Sequence, residues 1–135
     1  MTNVEYKTDG ECRMYSNKPS VNELKRRMKS FALQVVNFVN NLPFGKSPDV
    51  LGEQLLRAGT SVGANYLAAC RARSRADFIS KMKIVEEEAD ESIYWMELLA
   101  DAGIVPVEKI NYLVKEANEL LSITVTSIKT AKQFT

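Results

Sequence analysis

Four arginines are the side chains whose type and spacing best suit a chemical task in this chain. Arg57 and Arg71 fall on one outer face of a predicted helix. Arg73 and Arg75 bracket Ser74, where the next helix is expected to begin. Guanidinium groups near a helix N-terminus bind phosphate through paired hydrogen bonds and the helix dipole. The spacing therefore indicates a phosphate site at the junction between the two helices.

Ion pairing is an alternative role for the same arginines. Glu53, Asp77 and the acidic part of a neighbouring helix all carry suitable carboxylates. Pairing of this kind would neutralise the guanidinium groups and leave no site for a phosphate. From the spacing alone, both interpretations remain open.

The net charge is only +1, but the two signs are segregated along the chain. Residues 18–33 carry a net +4, residues 57–83 carry a net +5, and residues 86–101 contain seven acidic and no basic side chains. Within the first segment, Lys25, Arg26, Arg27 and Lys29 lie off the apolar stripe of a predicted helix. Such asymmetry is typical of a polyanion-binding face, and alternating solvated helix faces also produce it.

Several kinds of catalytic site are absent from the sequence. The chain has no histidine, which removes histidine-dependent nucleophiles and the histidine ligands of di-iron bundles. The acidic residues 86–91 fan out around a helix and indicate a solvated face rather than a metal site. Cys70 is interpreted as a small apolar side chain. We therefore expect no enzyme activity, no catalytic residue, no metal and no cofactor.

Apolar residues recur at helical spacing in four segments, which predict helices at about residues 21–42, 49–73, 75–102 and 107–132. The predicted apolar stripes of the third and fourth helices include Ile93, Ala100, Val114 and Leu121. Ser20 with Glu23 and Ser74 with Asp77 fit helix N-termini, and Gly103 fits a helix C-terminus. Ser47 or Asp49 is the expected cap of the second helix, with Pro48 in its first turn. Amphipathic helices joined by short links predict an all-α, up-down-up-down four-helix bundle.

The 135 residues, of which 45% are hydrophobic, are sufficient for one core. We expect a flexible N-terminal tail at residues 1–19 and a single-domain bundle at residues 20–135. No apolar run reaches the roughly 20 residues that span a bilayer, and no signal peptide is evident, so a cytoplasmic protein is expected. Cys12 and Cys70 are expected to be reduced.

The second predicted helix carries two apolar rows. The first contains Leu51, Leu55, Ala58, Val62, Asn65 and Ala69, and the second contains Leu56, Gly59, Gly63, Leu67 and Cys70. Gly59 and Gly63 indicate close approach of another helix, either from the same bundle or from a second subunit. In the second case the oligomer interface would comprise Leu56, Gly59, Gly63, Leu67, Trp95 and Leu98. Asn65 is interpreted as a buried amide that sets the register of packing.

Six motifs carry a resemblance to a known family: LLR at residues 55–57, TSVGANY at 60–66, ACRARS at 69–74, ADFI at 76–79, EEADE at 87–91 and YW at 94–95. Over residues 24–132 the chain resembles the bacterial four-helix bundle proteins related to those encoded in intervening sequences of 23S ribosomal RNA genes. Members of that family usually carry a glutamate after the Asn-Tyr or Asn-Ile pair, and often an arginine before it, whereas this chain has Leu67 and Ala68.

The resemblance implies a closed bundle that assembles as a homo-oligomer, commonly a pentameric ring, without known enzymatic activity. A similar fold occurs in the accessory protein of diversity-generating retroelements. That protein is a pentameric barrel whose basic surface works with nucleic acid and a reverse transcriptase. By analogy, the resemblance favours RNA as the polyanion.

Two hypotheses follow. The first is a non-catalytic oligomeric protein that binds structured RNA or a ribonucleoprotein through a basic surface, comprising Arg57, Arg71, Arg73, Arg75, Lys25, Arg26 and Lys29. The second is a structural or interaction protein that docks a protein partner on an apolar surface around Trp95 and Leu98.

Overall fold

Four α-helices follow one another along the chain: α1 (Val21–Asn40), α2 (Lys46–Cys70), α3 (Arg75–Asp101) and α4 (Val107–Lys132). This arrangement comes from a computed structural model, which describes residues 19–134. Each helix packs against its neighbour in sequence, and α4 also contacts α1. The prediction of an all-α, up-down-up-down four-helix bundle is confirmed. The predicted flexible tail and Cys12 lie outside the described residues.

The predicted signals at three helix ends are confirmed. Ser20 Oγ accepts a hydrogen bond from Glu23 N at 3.1 Å, and the Glu23 carboxylate accepts one from Ser20 N at 2.8 Å. At the start of α3, Ser74 Oγ accepts from Asp77 N at 3.1 Å. Gly103, with φ of 74°, follows the end of α3. These contacts satisfy backbone groups that the helix ends leave without partners.

The ends of α1 and α2 differ from the prediction by two or three residues. Pro43 disfavours helical backbone at the residue before it, so α1 stops at Asn40 rather than at residue 42. The N-cap of α2 is Gly45, with φ of 145°, and the prediction of Ser47 or Asp49 as the cap is wrong. Pro48 lies in the first turn as predicted.

A four-residue link, residues 71–74, separates α2 from α3. The backbone N–H of Arg71 donates to Ala68 O at 3.1 Å, and that of Ala72 donates to Ala69 O at 3.0 Å. Ala72 is buried, so its methyl group anchors the link against the bundle. The link therefore follows a fixed path although it contains neither glycine nor proline.

The buried stripes of α3 and α4 lie one residue away from the predicted stripes at four places. Ser92, Leu99, Leu113 and Leu120 are buried where the pattern predicts Ile93, Ala100, Val114 and Leu121. Burial of Ser92 is tolerated because its hydroxyl donates to Glu88 O at 2.8 Å. The four predicted residues are half-buried at the border of the core.

Asn65 is not the buried amide that the sequence predicts. Tyr66 occupies the core position with 2% of its surface exposed. Asn65 is half-buried, and its Nδ2 donates to Ser61 O at 2.8 Å within the same helix. The larger apolar surface of the tyrosine ring gives more burial at this position.

The glycines of α2 lie where α1 approaches most closely. A Cβ atom built on Gly59 would lie 3.0 Å from both Cγ atoms of Val35, and one built on Gly63 would lie 3.4 Å from Met28 Cβ. The close approach predicted for this row is therefore made within one chain. An oligomer interface through Leu56, Gly59, Gly63, Leu67, Trp95 and Leu98 stays a prediction.

Candidate nucleic-acid interface

Three of the predicted site arginines lie together at the α2–α3 link. Arg71 caps the C-terminus of α2, Arg73 lies in the link, and Arg75 is the first residue of α3. Arg71 and Arg73 are exposed, and neither side chain forms an ion pair with a described residue. Their charges are therefore available to an anionic ligand.

Asp77 is the acidic residue closest to this link, and it already has partners. Lys81 Nζ donates to Asp77 Oδ1 at 2.8 Å, and the backbone N–H of Arg73 donates to Asp77 Oδ2 at 3.3 Å. These two hydrogen bonds, that of Lys81 first, hold the pKa of Asp77 below its ordinary value. The carboxylate thus helps to fix the start of α3.

The C-terminus of α4 reaches the same end of the bundle. The Arg75 guanidinium donates a hydrogen bond to the Phe134 carbonyl and lies 5.9 Å from the centroid of the Phe134 ring. This contact places the last turn of α4, which carries Lys129 and Lys132, beside the α2–α3 link. Both lysines therefore add to the positive charge that Arg71, Arg73 and Arg75 place at this end of the bundle.

The first turns of α1 also lie at this end, because α1 runs antiparallel to α2. Lys25 and Lys29 line a groove of about 360 Å³ between the two helices. The remaining lining residues are Met28, Ala32, Thr60, Gly63, Ala64 and Leu67. Small side chains of α2 open this groove, and the two lysines supply its charge.

The described residues separate into two oppositely charged parts along the bundle axis. Residues 30–45, 58–70, 84–85 and 120–128 carry no charged side chain and separate the two parts along the chain. On one side, residues 19–29, 71–83 and 129–134 hold eleven basic and two acidic side chains, a net +9, and we call this part the basic half. On the other side, residues 46–57 and 86–119 hold four basic and twelve acidic side chains, a net −8, and form the acidic half.

The basic half gathers cations from α1, α3 and α4 and from the α2–α3 link. They are Lys25, Arg26, Arg27, Lys29, Arg71, Arg73, Arg75, Lys81, Lys83, Lys129 and Lys132. Like charges crowded on one part of a small domain create a positive potential that attracts polyanions. The arrangement is therefore suited chemically to binding phosphate groups.

Arg57 does not converge with the other predicted site arginines. It lies fourteen residues before Arg71 on α2, roughly 20 Å away along the helix axis. Its guanidinium pairs with Glu88 at 3.3 Å and with Glu91, both on α3. For Arg57 the ion-pair alternative holds. It does not converge with the other three arginines, because α2 places it about four turns away from the α2–α3 link.

Glu91 is the centre of this ion-pair cluster. Its carboxylate accepts a hydrogen bond from Trp95 Nε1 at 3.0 Å as well as the bond from Arg57. These two donors, Trp95 first, hold the pKa of Glu91 below its ordinary value, and the pKa of Arg57 is raised. The cluster joins α2 to α3 inside the acidic half.

A second ion-pair cluster joins α1 to α4. Arg27 Nε and Nη2 donate to the two carboxylate oxygens of Glu116 at 3.0 and 2.6 Å, and Nη2 also donates to Glu119 at 2.8 Å. Both acids raise the pKa of the Arg27 guanidinium above its ordinary value. Arg27 therefore belongs to the basic half by its charge, but its side chain forms a structural contact with two residues of the acidic half.

The surface predicted around Trp95 is less apolar than the sequence suggests. Trp95 and Leu98 are half-buried, and the indole N–H of Trp95 is bonded to Glu91. The neighbouring Tyr94 ring packs edge-to-face on Trp95, with centroids 5.0 Å apart and an interplanar angle of 73°. A protein partner on this surface stays a prediction.

Other classes of site are not evident in residues 19–134. In this part of the chain, no three histidine, cysteine, aspartate or glutamate side chains come together as a metal site would require. Cys70 is buried at 5% exposure beside the core. None of the described helices has the length and apolar character that crossing a membrane requires.

Sequence reasoning missed Lys81, Lys83, Lys129 and Lys132 as parts of one basic region. The predicted topology contained the necessary signal. In an antiparallel bundle, the start of α1, the end of α2, the start of α3 and the end of α4 meet at one end. Adding the charges of these four helix ends, rather than those of consecutive residues, would have revealed the basic half.

Fold and charge together define an antiparallel four-helix bundle protein with one basic and one acidic half. The sequence matches the family described as 23S rRNA-intervening sequence protein over residues 21–126. This chain belongs to that family.

A solved structure supports the same relationship. The chain is similar to a protein of unknown function from the S23 ribosomal protein family of Bacteroides thetaiotaomicron. The two share 36% sequence identity with a TM-score of 0.75, over 81% of this chain and 97% of the other. A comparison with curated proteins gives no match.

Proposed function

We propose that this protein is a non-catalytic helical-bundle module that binds RNA, or RNA within a ribonucleoprotein, through its basic half. The observation that carries the proposal is the separation of eleven basic and two acidic side chains from an oppositely charged remainder. Lysine and arginine bind nucleic acid mainly by neutralising phosphates and releasing condensed counterions. A net +9 concentrated on one half of a small bundle suits this mode of binding.

Arg71 and Arg73 are the residues at the centre of the proposed site. Both are exposed, both belong to a link whose path is fixed by Ala72 and the Ser74 cap, and neither is held in an ion pair with a described residue. Lys25 and Lys29 extend the charge along the groove between α1 and α2. Arg57 is excluded from the site because its guanidinium is engaged by Glu88 and Glu91.

The names of the relatives support RNA as the polyanion. The family is described by its relation to an intervening sequence of 23S ribosomal RNA, and the similar solved structure is assigned to a ribosomal protein family. The arrangement of charges is the physical basis for binding a polyanion, and the names of the relatives narrow that polyanion to RNA.

Homo-oligomer formation is the second part of the proposal. A ring, a pentamer by the resemblance described above, would present several basic halves on one assembly. Repeating a modest site raises the overall affinity by increasing the effective concentration of the second and later contacts. Exposed Leu33 and Leu67, at 62% and 37%, provide apolar surface for contacts between copies.

A direct binding experiment tests the proposal. Fluorescence anisotropy would measure the affinity of the full chain for a labelled, folded RNA at a fixed potassium chloride concentration. The double variant Arg71→Ala/Arg73→Ala should bind several-fold more weakly, because two phosphate contacts are removed. Its matched control, Lys46→Ala/Lys109→Ala, removes the same charge from the acidic half and should bind like the native chain, since charges beyond about 10 Å are screened. Absence of RNA binding by the native chain contradicts the proposal.

A further inference from the structure

The oppositely charged ends of the bundle are too far apart within one chain to neutralise each other. Asp49 and Arg71 lie near the two ends of α2, roughly 33 Å apart along the helix axis. At physiological salt, exposed charges separated by more than about 8 Å are largely screened from each other. The charge of each end is therefore open to contacts with other molecules.

Several exposed carboxylates lie at the end of the bundle opposite the α2–α3 link, where α2 and α4 begin and α3 ends. Within residues 19–134, none of them forms an ion pair; they are Asp49, Glu53, Glu97, Asp101 and Glu108. We call the surface that carries them the acidic end. Lys46 and Lys109 lie in the same segments, and the acidic end keeps a net −3.

Exposed apolar side chains lie beside these carboxylates. Phe44 is fully exposed in the α1–α2 link, and Val50 is 53% exposed on α2. Both line a concave surface of about 430 Å³ that Asp49 and Glu53 also line. An apolar centre with a polar rim is the usual anatomy of an interface between proteins. The acidic end therefore has features of a surface that docks another polypeptide.

The basic half has the complementary features. Arg71 and Arg73 are exposed, and neither side chain forms an ion pair with a described residue. Lys25 and Lys29 flank the groove between α1 and α2, to which Ala64 contributes exposed apolar surface. Cations beside apolar surface on this half match carboxylates beside apolar surface at the acidic end.

The charges select one relative orientation of two copies of the chain. A two-fold symmetric contact through either end would place like charges against each other, which is unfavourable. A contact between unlike ends brings a half with a net −8 against a half with a net +9. Residues 1–18 carry three acidic and three basic side chains, so they leave this balance unchanged.

We infer that the acidic end of one copy docks on the basic half of a second copy in a head-to-tail contact. The contact covers the exposed Arg71 and Arg73, so a docked copy competes with RNA for the same surface. This competition rests on the proposed function, whereas the contact between copies does not. Self-association thus regulates how much of the basic half is open to RNA.

Sedimentation equilibrium of the full chain at a series of potassium chloride concentrations tests the contact. The weight-average mass should fall as the salt rises and then stay constant, because salt screens the attraction between unlike ends. At low salt, Asp49→Asn/Glu53→Gln should associate several-fold more weakly than the native chain. Its matched control, Ser30→Lys/Ser122→Lys, changes the net charge equally at exposed positions in the uncharged segments and should keep the native mass.

The anisotropy assay with folded RNA tests the competition. At protein concentrations at which the native chain self-associates, Asp49→Asn/Glu53→Gln should bind RNA several-fold more tightly than Ser30→Lys/Ser122→Lys, because its basic half is uncovered. Equal RNA affinities of the two variants overturn the competition.

The two experiments separate failure of this inference from failure of the proposed function. A mass that does not depend on salt, or equal masses for the two double variants, overturns the head-to-tail contact and leaves RNA binding standing. Absence of RNA binding by a native chain whose mass falls with salt overturns the proposed function and the competition, and the contact between copies stands.

Discussion

Arg57 on α2 and Glu91 on α3 form an ion pair that joins the two helices within the acidic half. The same carboxylate accepts a hydrogen bond from Trp95 Nε1 at 3.0 Å, and Glu88 lies 3.3 Å from the guanidinium. This pair distinguishes a structural arginine from the exposed Arg71 and Arg73. The sequence spacing assigns Arg57, Arg71 and Arg73 to one predicted site. Only the contacts in the structure separate the structural role of Arg57 from the role proposed for the other two.

Replacing Arg57 should therefore affect stability and leave RNA binding intact. Arg57→Ala removes the bonds between α2 and α3 and should lower the melting temperature in thermal unfolding followed by circular dichroism. Its affinity for folded RNA in the anisotropy assay should equal that of the native chain. Arg71→Ala is the comparison, with an unchanged melting temperature and weaker binding. A loss of RNA affinity in folded Arg57→Ala would return this residue to the binding site.

Stability should decrease in acid through Glu91. A carboxyl group with a lower pKa in the folded protein stabilises it above the unfolded pKa, and this contribution is lost as the pH falls through the folded pKa. The ordinary value is 4.5 for Glu91, so the free energy of unfolding should decline below about pH 4.5. Asp77, whose pKa is also lowered, contributes in the same direction.

Urea unfolding at a series of acidic pH values measures this dependence. Glu91→Gln keeps the size of the side chain but cannot titrate, so its unfolding free energy should decline less steeply with falling pH than that of the native chain. Glu87→Gln, at an exposed position on α3 outside the ion-pair cluster, serves as the control. Parallel pH profiles for the native chain and Glu91→Gln would contradict the assigned role of Glu91.

Gly59→Ala should destabilise the bundle. The new Cβ would lie 3.0 Å from both methyl groups of Val35, which is fully buried. Overpacking of a core costs about 1–3 kcal/mol, and the better helix propensity of alanine returns about 1 kcal/mol. We expect a net loss of about 1 kcal/mol in the free energy of unfolding, measured with urea.

Gly63→Ala is the matched control for this close approach. Its Cβ would lie 3.4 Å from Met28 Cβ, an ordinary contact, so the gain in helix propensity should make the variant neutral or up to about 1 kcal/mol more stable. In the double variant Gly59→Ala/Val35→Ala, the space left by valine should relieve part of the added crowding. Two results would contradict the close contact between Gly59 and Val35. One is an equal change in the free energy of unfolding for Gly59→Ala and Gly63→Ala, and the other is a double variant whose loss equals the sum of the losses of Gly59→Ala and Val35→Ala.

Ser74→Ala should weaken the start of α3. The variant loses the hydrogen bond from Asp77 N to Ser74 Oγ, and removal of such a cap costs about 1 kcal/mol. Ser80→Ala changes an exposed serine of the same helix outside its first turn and should have little effect. Urea unfolding of both variants measures the difference. If Ser74→Ala were as stable as Ser80→Ala, another group would have replaced the Ser74 hydroxyl as the partner of the Asp77 backbone N–H.

Local signals predicted the helices well, while packing decided which of two adjacent apolar residues is buried. The bounds of α4 match the prediction, and the caps at Ser20 and Ser74 follow from the sequence alone. Leu113 is buried and Val114 is half-buried, although both are apolar and both fit a helical stripe. The rotation of a helix about its axis depends on its neighbours, which periodicity does not describe.

The part of the basic half at the α2–α3 link could be predicted from the sequence, because its residues are close together along the chain. Arg71 and Arg73 lie next to a helix start that Ser74 marks, so local reasoning located them. Lys129 and Lys132 join the site through the contact between Arg75 and Phe134, which depends on how α4 packs beside α3. Contacts between distant segments therefore determine the extent of the basic half.

The salt dependence of RNA affinity is the most direct test of phosphate binding by the basic half. For the native chain, the logarithm of the affinity should fall linearly with the logarithm of the potassium chloride concentration. Arg71→Ala/Arg73→Ala should reduce this slope by about 1.4–1.8, since each lost phosphate contact accounts for about 0.7 in single strands and about 0.9 in duplex nucleic acid. Lys46→Ala/Lys109→Ala should keep the native slope. An unchanged slope in the arginine variant, or an equal reduction in the lysine control, would contradict binding through the basic half.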